Sequence, residues 1–433
     1  MNVIVIITDS LRRDHLSCYG NPWIKTPTAE RFAKESVVFN NAYSEGLPTM
    51  PTRTAWWTGR FTFPFRGWQQ FEHDDVLLAE VLWDKGFTSA LITDVYHMHK
   101  PRMNCGRGFD HVEWIRGQEY DPFIVGDIPV EIDRYYHPNG QTDHIWKPNL
   151  IQYLKNVSIR KTEEDYFVAQ CVKAAIRWLE RQKGKDRLFL WLDCFDPHEP
   201  WDAPEPFRSM YNPGYKGKEI IDPVPWTTAG YLNDEELKEV RSLYAGEVSF
   251  VDRWVGLFLD ACRALGYLDN SLIIWTSDHG EPLGEHGIVR KCRPWLHEVL
   301  VKIPLLARYP GGAFAGRRVE AQVETCDLMP TVLSFFGIAA PQGMHGRDMS
   351  LLVRGQEEKL RDYAYSGFFE QSWSVRDDRY SLLLSLAEPG QPAQLFDREK
   401  DPLELVDIAP QDPERARFLE RELRKWVDEI TYR

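Results

Sequence analysis

The sequence lacks the features that mark several common protein classes. No apolar run approaches the roughly 18–20 residues that cross a bilayer, and Met1-Asn2 leads directly into "VIVII" without the basic and apolar regions of a signal peptide. Positive charge is also scarce, because 52 Lys and Arg residues face 65 Asp and Glu residues and leave a net charge of −13. A nucleic-acid or anionic-membrane surface is therefore disfavoured. We expect a cytoplasmic protein that contacts neither membrane nor nucleic acid.

Cysteine is sparse and shows no pairing pattern. The seven cysteines are odd in number and scattered without CxxC spacing, which predicts reduced, mostly buried thiols. Internal repeats and low-complexity tracts are absent as well. A chain of 433 residues can still bury a large core, so we expect one large domain with an appendage. The oligomeric state is left open, with a homo-oligomer among the options.

Short apolar and β-branched runs predict the strands of an α/β fold. They alternate with amphipathic helical stretches, which indicates a large, mostly parallel sheet covered by helices on both faces. The predicted strands span residues 2–9, 87–94, 187–196, 271–280 and 301–310, and the main predicted helices span residues 26–36, 75–86 and 234–266.

Four of these five runs end in an acidic residue or in Asp-His: Asp9, Asp94, Asp196 and Asp278. Ligands of open α/β sheets bind beyond the carboxyl ends of the strands. We therefore expect these carboxylates to converge on one rim of the sheet.

Two segments depart from the alternating pattern. Residues 110–165 are aromatic and acidic without clear period, which predicts a loop-rich insertion that serves as a lid or substrate wall, or as an oligomer contact. Its aromatic residues Trp114, Tyr120 and Tyr135 are candidate stacking surfaces. After residue 360, short antiparallel strand patterns precede a terminal helix. We thus predict a main domain over 1–360 and a small α+β subdomain over 361–433.

Asp9, Asp278 and His279 are candidate ligands for a divalent cation, since carboxylate oxygen and imidazole nitrogen suit such an ion. His198 lies between prolines just past a predicted buried strand and is a candidate proton donor to a leaving group. Each of these residues also has an ordinary structural explanation, as a cap, a turn or a packed side chain.

A cluster of cations follows the Asp-His pair. Arg290, Lys291, Arg293 and His297 precede the last predicted core strand and are candidates to bind an anionic ester, although such a run is more often a solvated face. Any anionic substrate needs a local site of this kind, because the net charge of the chain repels it.

The segment 47–60, "LPTMPTRTAWWTGR", offers a candidate nucleophile. Thr49 is bracketed by prolines and Arg53 follows four positions later. A hydroxyl held rigidly near a guanidinium fits covalent catalysis, in which the cation steadies the alkoxide.

Taken together, these motifs resemble the sulfatase family within the alkaline phosphatase superfamily. The resemblance rests on "TDSLRRDHLSCYGNPWIKTPTAERFAKESVVFNNAYS", "PTRTAWWTGR", "DPHEPW", "SDHGEPLGEHG", "IPLLARYPGG", "CDLMPTVLSFFGI" and "LFDREKDPLE", in that order along nearly the whole chain. It implies a central mixed sheet flanked by helices, a smaller C-terminal antiparallel sheet, and one divalent metal (Ca, Mn or Zn) beside a covalent nucleophile.

The resemblance also implies roles for individual residues. Asp9, Asp278 and His279 match metal ligands, and the nucleophile Thr49 would share that metal. Arg53 matches the arginine that stabilises the nucleophile, and His198 matches the leaving-group histidine. Lys291 matches a substrate-binding lysine only loosely, so Arg290 or Arg293 could take that role.

The chain departs from the family pattern at three places. Ser10 replaces the second residue of an acidic pair. The segment from Asp94 to Tyr96 replaces a Lys-x-His pair, which leaves Tyr96 and His97 as candidate substrate contacts, with His99 and Lys100 nearby. Thr49 replaces the Cys or Ser that matures to formylglycine, so no formylglycine is expected there.

Three functions follow from these observations as hypotheses. The first is metal-dependent hydrolysis of a small sulfuric ester through Thr49. The second is hydrolysis of a phosphodiester or a phosphonate monoester by unmodified Thr49, because direct attack of water on a phospho-threonine is ordinary chemistry. The third is a binding protein that keeps the fold and the metal but lacks activity.

Overall fold

The computed structural model describes residues 1–137, 146–224, 228–291, 296–388 and 390–431. Its strands are β1 (Asn2–Thr8), β2 (Val37–Tyr43), β3 (Gly46–Leu47), β4 (Thr88–Thr93), β5 (His111–Trp114), β6 (Leu188–Cys194), β7 (Ser271–Thr276), β8 (Lys302–Arg308), β9 (Arg318–Glu324), β10 (Ala364–Phe368), β11 (Ser372–Arg376), β12 (Tyr380–Ser385) and β13 (Gln394–Asp397). Its α-helices are α1 (Pro27–Lys34), α2 (Thr49–Thr58), α3 (Leu78–Asp84), α4 (Tyr96–His99), α5 (Trp146–Val157), α6 (Phe167–Arg181), α7 (Asp234–Ala264), α8 (Glu298–Val301), α9 (Leu328–Phe335), α10 (Ser350–Arg354) and α11 (Pro413–Thr431).

Within the described ranges, eight strands form one large sheet in the order β5-β4-β6-β1-β7-β8-β2-β9. Neighbours are parallel except at β7–β8 and β8–β2. The prediction of a mostly parallel α/β sheet is confirmed, and the five predicted apolar runs correspond to β1, β4, β6, β7 and β8.

Helices cover both faces of this sheet. Alternate residues of β1 face two separate apolar clusters, one packed by α1, α6 and α7 and the other by α2, α3 and α9. Every residue of β1 is buried, as expected for a strand with two covered faces. This central position places the end of β1, and the residue that follows it, at the middle of the sheet's rim.

A smaller sheet has the order β13-β12-β11-β10-β3. Strands β10 to β13 are antiparallel, as predicted for the C-terminal segment, and α11 packs against β11 and β12. Strand β3 adds to β10 in parallel although it comes from the N-terminal part of the chain. Because β3 has two residues, no periodic signal in the sequence could reveal this pairing. The boundary at residue 360 stays a prediction, but the small sheet draws on both sides of it.

Residues 110–165 contain more regular structure than the sequence suggested. Strand β5 forms one edge of the large sheet, and α5 occupies residues 146–157, while residues 138–145 lie outside the described ranges. The six cysteines in the described ranges are buried and carry free thiols, in line with the pattern of the sequence. Each helix described is too short or too polar to serve as a membrane span.

Candidate active site

The predicted metal ligands meet at the carboxyl ends of two neighbouring strands. Asp9 follows β1, and Asp278 and His279 follow β7, which pairs with β1 in parallel. All three side chains are fully buried, and one potential ligand atom of each lies within 4.8 Å of the others. Adjacent parallel strands thus bring together residues that are about 270 positions apart in the chain.

The chemistry of these side chains fits a divalent ion. His279 Nδ1 lies 2.8 Å from the Gly280 carbonyl oxygen and donates to it, so its Nε2 carries the lone pair, and Nε2 has no hydrogen-bond partner in the described ranges. Burial lowers the pKa of His279 to about 4, which keeps the imidazole neutral. Burial and the Asp278 carboxylate raise the pKa of Asp9. A cation between the two carboxylates would relieve that repulsion.

Ser10 stands where the family pattern has a second acidic residue, and it donates hydrogen bonds to the carboxylates of Asp9 and Asp278. Its hydroxyl donates to Asp9 Oδ1 at 2.9 Å, and its backbone N–H donates to Asp278 Oδ1 at 3.0 Å. The residue adopts a left-handed backbone with φ of 60°. The site therefore carries one negative charge less than the acidic pair of the family pattern would give it.

Arg53 forms hydrogen bonds to the Thr49 backbone and to three carboxylates of the site. Thr49 begins α2 and Arg53 lies one turn later, where its Nη1 donates to the Thr49 carbonyl oxygen at 3.1 Å and to Asp278 at 3.0 Å. Its Nη2 donates to Asp9 at 3.1 Å and to Asp193 at 2.6 Å, and its Nε donates to Asp193 at 3.0 Å. The five N–H groups of the guanidinium are thereby all used. Arg53 binds the Thr49 backbone and the carboxylates of Asp9 and Asp278, and it has no N–H left to offer a substrate.

Asp193 is not among the site residues predicted from the sequence. This residue lies within the buried strand β6, is fully buried, and forms a two-point ion pair with Arg53. Trp191 Nε1 also donates to Asp193 Oδ2, at 3.1 Å. Burial raises the pKa of Asp193, and the Arg53 guanidinium opposes that shift. An acidic residue inside an otherwise apolar strand was the available signal, but the sequence does not name its partner.

His198 and Lys291 are in direct contact. Lys291 Nζ lies 2.6 Å from His198 Nε2, and His198 Nδ1 lies 2.6 Å from the Glu199 carbonyl oxygen. An ammonium can only donate and a carbonyl can only accept, so the neutral Nδ1–H tautomer satisfies both bonds. Burial and the charges of Lys291 and Arg290 lower the pKa of His198 well below its usual value. The proton of this pair therefore resides on Lys291.

A cavity of about 180 Å³ opens beside Thr49. Six of its polar lining residues form three pairs. Lys291 contacts His198, Arg290 pairs with Glu199, and His97 Nε2 lies 2.7 Å from Glu119 Oε2. Its apolar lining consists of Pro48, Trp68, Tyr120, Trp146 and Phe368. The rest of the cavity lining is thus largely aromatic.

The other predicted substrate contacts lie in different places. Tyr96 packs edge-on against Tyr120, one layer behind the cavity lining. His297 stacks on His286 at 3.5 Å and its Nδ1 lies 3.3 Å from Glu404, which places it against the C-terminal segment. Arg293 lies outside the described residues.

Of the three aromatic residues predicted as stacking surfaces, one lines the cavity and two lie elsewhere. Tyr120 lines the cavity, whereas Trp114 packs against His99 from its position in β5. Tyr135 packs at the edge of the apolar cluster on the α7 side of the sheet and lies outside the cavity lining.

The four carboxylates predicted to share one rim of the sheet form two pairs, Asp9 with Asp278 and Asp94 with Asp196. Asp94 and Asp196 lie close together, and Gln118 Nε2 bridges them at 3.2 and 2.7 Å. Burial and the Asp196 charge raise the pKa of Asp94 to about 8. These two carboxylates are held by the protein itself, through Gln118 and the backbone N–H groups of Phe195 and Val168.

Comparison with known proteins decides the family. The sulfatase model matches residues 1–338, and the model described as N-sulphoglucosamine sulphohydrolase, C-terminal, matches residues 284–431. The chain belongs to the sulfatase family. As a sulfatase-family protein within the alkaline phosphatase superfamily, it is a hydrolase that acts on ester bonds. Enzymes of this family generally use a divalent metal ion, in keeping with the Asp9, Asp278 and His279 cluster.

Individual relatives are distant but cover most of the chain. The arylsulfatase of Clostridium perfringens is 24% identical, over 96% of this chain and 92% of its own length. The phosphonate monoester hydrolase structure of Agrobacterium radiobacter matches with a TM-score of 0.76 and 21% identity, covering 99% of this chain and 95% of that one. That of Silicibacter pomeroyi has a TM-score of 0.76 and 24% identity, covering 100% and 95%. The structural similarities establish the sulfatase-like fold.

Proposed function

We propose that this sulfatase-family protein hydrolyses a small, singly charged ester, with a sulfuric ester as the first candidate, through attack by Thr49. One observation carries the proposal: Arg53 ties the start of α2 to the two carboxylates of the candidate metal cluster, and Thr49 lines the cavity beside it. A hydroxyl, a cation site and a cavity thus share one location. The sulfuric ester comes first because the sulfatase model covers residues 1–338.

Asp9, Asp278 and His279 would hold one divalent ion. When bound, such an ion supplies Lewis-acid chemistry, lowering the pKa of a nearby hydroxyl and neutralising charge on an ester oxygen. Arg53 keeps the two carboxylates and the Thr49 backbone in fixed relation, so the hydroxyl needs little reorganisation to react.

The reaction has two steps, in which Lys291 first donates a proton and then accepts one. The Thr49 hydroxyl loses its proton to solvent, and its oxygen bonds to the central sulfur as the bond from sulfur to the leaving oxygen breaks. The Lys291 ammonium gives a proton to the departing alkoxide, and His198 holds Lys291 in place by accepting from it. Water next attacks the sulfur, one of its protons passes to the Lys291 amine, and the bond from sulfur to the Thr49 oxygen breaks, after which that oxygen regains a proton from solvent.

The cavity supports a small, apolar leaving group. Its volume of about 180 Å³ compares with a cavity of about 150 Å³ that accommodates benzene in another protein. Three pairs of its charged or polar residues bind one another, Lys291 with His198, Arg290 with Glu199 and His97 with Glu119, which leaves few partners for the hydroxyls of a sugar. We therefore expect an aryl or short alkyl alcohol about the size of one six-membered ring.

Thr49 itself favours a second candidate, a phosphonate monoester or phosphodiester. An unmodified hydroxyl yields an intermediate that only direct attack of water can resolve, which is ordinary at phosphorus. The two phosphonate monoester hydrolase structures share the fold. Like a sulfate monoester, each of these substrates presents a single negative charge to the site.

Parallel assays separate these candidates. Aryl sulfate, aryl phosphonate and aryl phosphodiester are each supplied with Mn²⁺, Zn²⁺ or Ca²⁺, using the wild type and Thr49→Ala. We expect turnover of one ester class by the wild type and none by Thr49→Ala, with a covalent adduct on Thr49 visible by intact mass after acid quenching. Turnover by Thr49→Ala would refute the covalent mechanism. No turnover of any ester would favour a binding protein without activity.

The leaving-group pocket has its own test. Trp146→Leu removes ring surface from the cavity lining and should raise KM for an aryl ester several-fold while changing little for a methyl ester. Trp83→Leu is the matched control, because Trp83 is 58% exposed on α3 and lies outside the lining. Equal effects of Trp146→Leu on both esters would contradict the proposed leaving-group site.

A further inference from the structure

A second cavity opens at the other end of α2 from Thr49. It is a cleft of about 950 Å³, compared with about 180 Å³ for the cavity beside Thr49. Its lining begins with Arg60, just after α2 ends, and continues with the segments before α10 and β10 and the last turns of α11. A helix of the length of α2 spans about 15 Å, and the two linings share none of the described residues. The cleft is therefore separate from the candidate active site.

One side of the cleft is held by backbone contacts. The Gly59 carbonyl oxygen accepts hydrogen bonds from the backbone N–H groups of His345 and Gly346, both at 2.9 Å. Gly59 has a φ of 65°, and a Cβ at this position would lie 2.6 Å from Met344 Sδ, so the two segments are tightly packed. The cleft is thus formed without a ligand, as is usual for sites that bind small molecules.

Aromatic rings supply much of the lining. Trp426 stacks on Tyr365 with ring centres 3.8 Å apart and meets Phe61 edge-on at 4.7 Å. Phe65 lies parallel to the His345 ring at 5.7 Å and is 37% exposed, so part of its surface is open to a ligand. A planar ring packs well on such surfaces, because offset-parallel and edge-on ring pairs are both favourable. The rings therefore favour an aromatic ligand.

Most of the unpaired polar groups of the lining are hydrogen-bond donors. Arg60 and Arg347 are exposed, and within the described ranges neither side chain forms an ion pair or a hydrogen bond. The Phe61 N–H donates to His345 Nδ1 at 3.0 Å, so the imidazole hydrogen is on Nε2, which has no partner in those ranges. Burial and the Arg60 charge lower the pKa of His345 to about 4, so the ring stays neutral. The indole N–H of Trp426 is a further donor without a partner among the residues described.

The acidic residues of the lining leave this excess of positive charge in place. Glu324 is buried against Arg361 at 2.7 Å, and Asp362 lies 3.9 Å from Lys359. Glu429 is exposed and has no ion pair in the part of the chain that the structure describes. The lining thus has two unpaired guanidinium groups and one unpaired carboxylate, in a chain whose net charge is −13. Charge clustered in a cleft attracts ligands of the opposite sign, so this cleft favours an anion.

We propose that this cleft binds a planar aromatic anion, an aromatic carboxylate or sulfonate, whose ring stacks on Phe65 and Trp426 and whose acid group accepts hydrogen bonds from Arg60 and Arg347. A guanidinium presents parallel N–H groups to such an acid group, which fixes its orientation and neutralises its charge. The Nε2–H of His345 is a further donor at the same cleft. None of these residues takes part in the proposed ester hydrolysis, so the inference goes beyond that function.

The binding test uses naphthalenesulfonate, with naphthalenesulfonamide as its neutral analogue and methanesulfonate as its analogue without a ring. Calorimetric titration of the full chain should give a Kd of about 1 mM or lower for naphthalenesulfonate, from the usual contribution of each ligand atom. The two analogues should bind at least about tenfold more weakly, because each lacks either the charge or the ring. Added salt should weaken binding of naphthalenesulfonate, since it screens the attraction to the guanidinium groups. No binding of naphthalenesulfonate, or equal binding of its neutral analogue, would overturn the proposal.

Substitutions locate the bound anion. Arg60→Gln and Arg347→Gln should each raise the Kd about tenfold, since each removes charge-assisted hydrogen bonds. Glu429→Gln should lower the Kd, because it removes a repelling charge from the lining. The three side chains are exposed and unpaired in the described ranges, so the melting temperature should stay unchanged. A wild-type Kd in Arg60→Gln combined with Arg347→Gln would place the anion elsewhere and refute the proposal.

Two controls separate the cleft from the general charge of the chain. Arg181→Gln is the matched arginine control, because Arg181 is exposed on α6, has no ion pair among the described residues and lies outside the cleft lining. Asp428→Asn is the control for Glu429→Gln, since Asp428 is the neighbouring exposed acid of α11 and also lies outside the lining. Both variants should keep the wild-type Kd, and the proposal would be wrong if either reproduced the effect of its counterpart in the cleft. The titration needs no turnover, so failure of the ester assays would leave this result unaffected.

Discussion

Replacing Asp193 by Asn tests whether the buried pair with Arg53 organises the metal cluster. Asp193 offers two acceptor oxygens: Oδ1 accepts from Arg53 Nη2 at 2.6 Å, and Oδ2 accepts from Arg53 Nε at 3.0 Å and Trp191 Nε1 at 3.1 Å. Asparagine has the same shape but presents one oxygen and one NH₂ group. In either orientation of the amide, at least one buried donor faces another donor.

The magnitude follows from that geometry. Each buried donor left without an acceptor costs about 1–3 kcal/mol, and the loss of a charged acceptor adds to it. Since Arg53 retains its bonds to Asp9, Asp278 and the Thr49 carbonyl, we expect the free energy of unfolding to fall by about 3 kcal/mol. Arg53 is then also held less firmly and competes for the oxygens of Asp9 and Asp278. We expect metal affinity to fall about tenfold, equivalent to about 1.4 kcal/mol.

Urea unfolding of the metal-free protein and a Mn²⁺ titration followed by calorimetry measure the two quantities separately. Asp75→Asn is the matched control, because Asp75 forms a two-point pair with Arg66 at 2.8 and 2.8 Å away from the metal cluster. That variant should lose stability but keep its metal affinity. If Asp193→Asn left both the unfolding midpoint and the metal affinity unchanged, the assignment of Asp193 as the residue that positions Arg53 would be wrong.

Two further predictions concern residues near the rim. Burial and Asp196 raise the pKa of Asp94 to about 8, so its stabilising effect is present below its unfolded pKa of about 4 and lost as pH rises toward 8. Relative to Asp94→Asn, the wild type should lose up to about 1.4 kcal/mol of stability per pH unit between about pH 4 and pH 8. Urea unfolding at several pH values measures this loss. If stability changed with pH equally in the two proteins, the raised pKa of Asp94 would be wrong. Gly280→Ala should destabilise the protein by about 3 kcal/mol or more, because a Cβ at this position would lie 2.1 Å from the Val299 carbonyl oxygen. Calorimetry measures this loss. An unchanged melting temperature would mean that the loop relaxes freely.

The central strands and the grouping of Asp9, Asp278 and His279 could be predicted because both depend on local patterns. A strand buried on two faces needs a continuous apolar run, and residues such as Asp9 and Asp278 follow those runs directly. Strands β2 and β9 were missed because polar residues interrupt them, and β5 because it has four residues at the edge of the sheet. The two-residue β3 has no periodicity to detect.

Partners across the site could not be predicted. The pairing of Arg53 with Asp193, and the contact of Lys291 with His198, each join segments that approach only when the sheet and its loops assemble. The position of His297 was decided in the same way, since Glu404 draws it toward the C-terminal segment.

By itself, the sequence determined the α/β class, the central strands, the residues of one candidate cation site and the presence of Thr49 where the family pattern has Cys or Ser, because each of these is set by residue type and spacing along the chain. Only the tertiary structure decided that the Arg53 guanidinium is fully occupied, that Lys291 carries the proton beside His198, and that the cavity has room for about one ring. The physical reason is that hydrogen bonds, ion pairs and cavities depend on distances between remote segments, and packing fixes those distances.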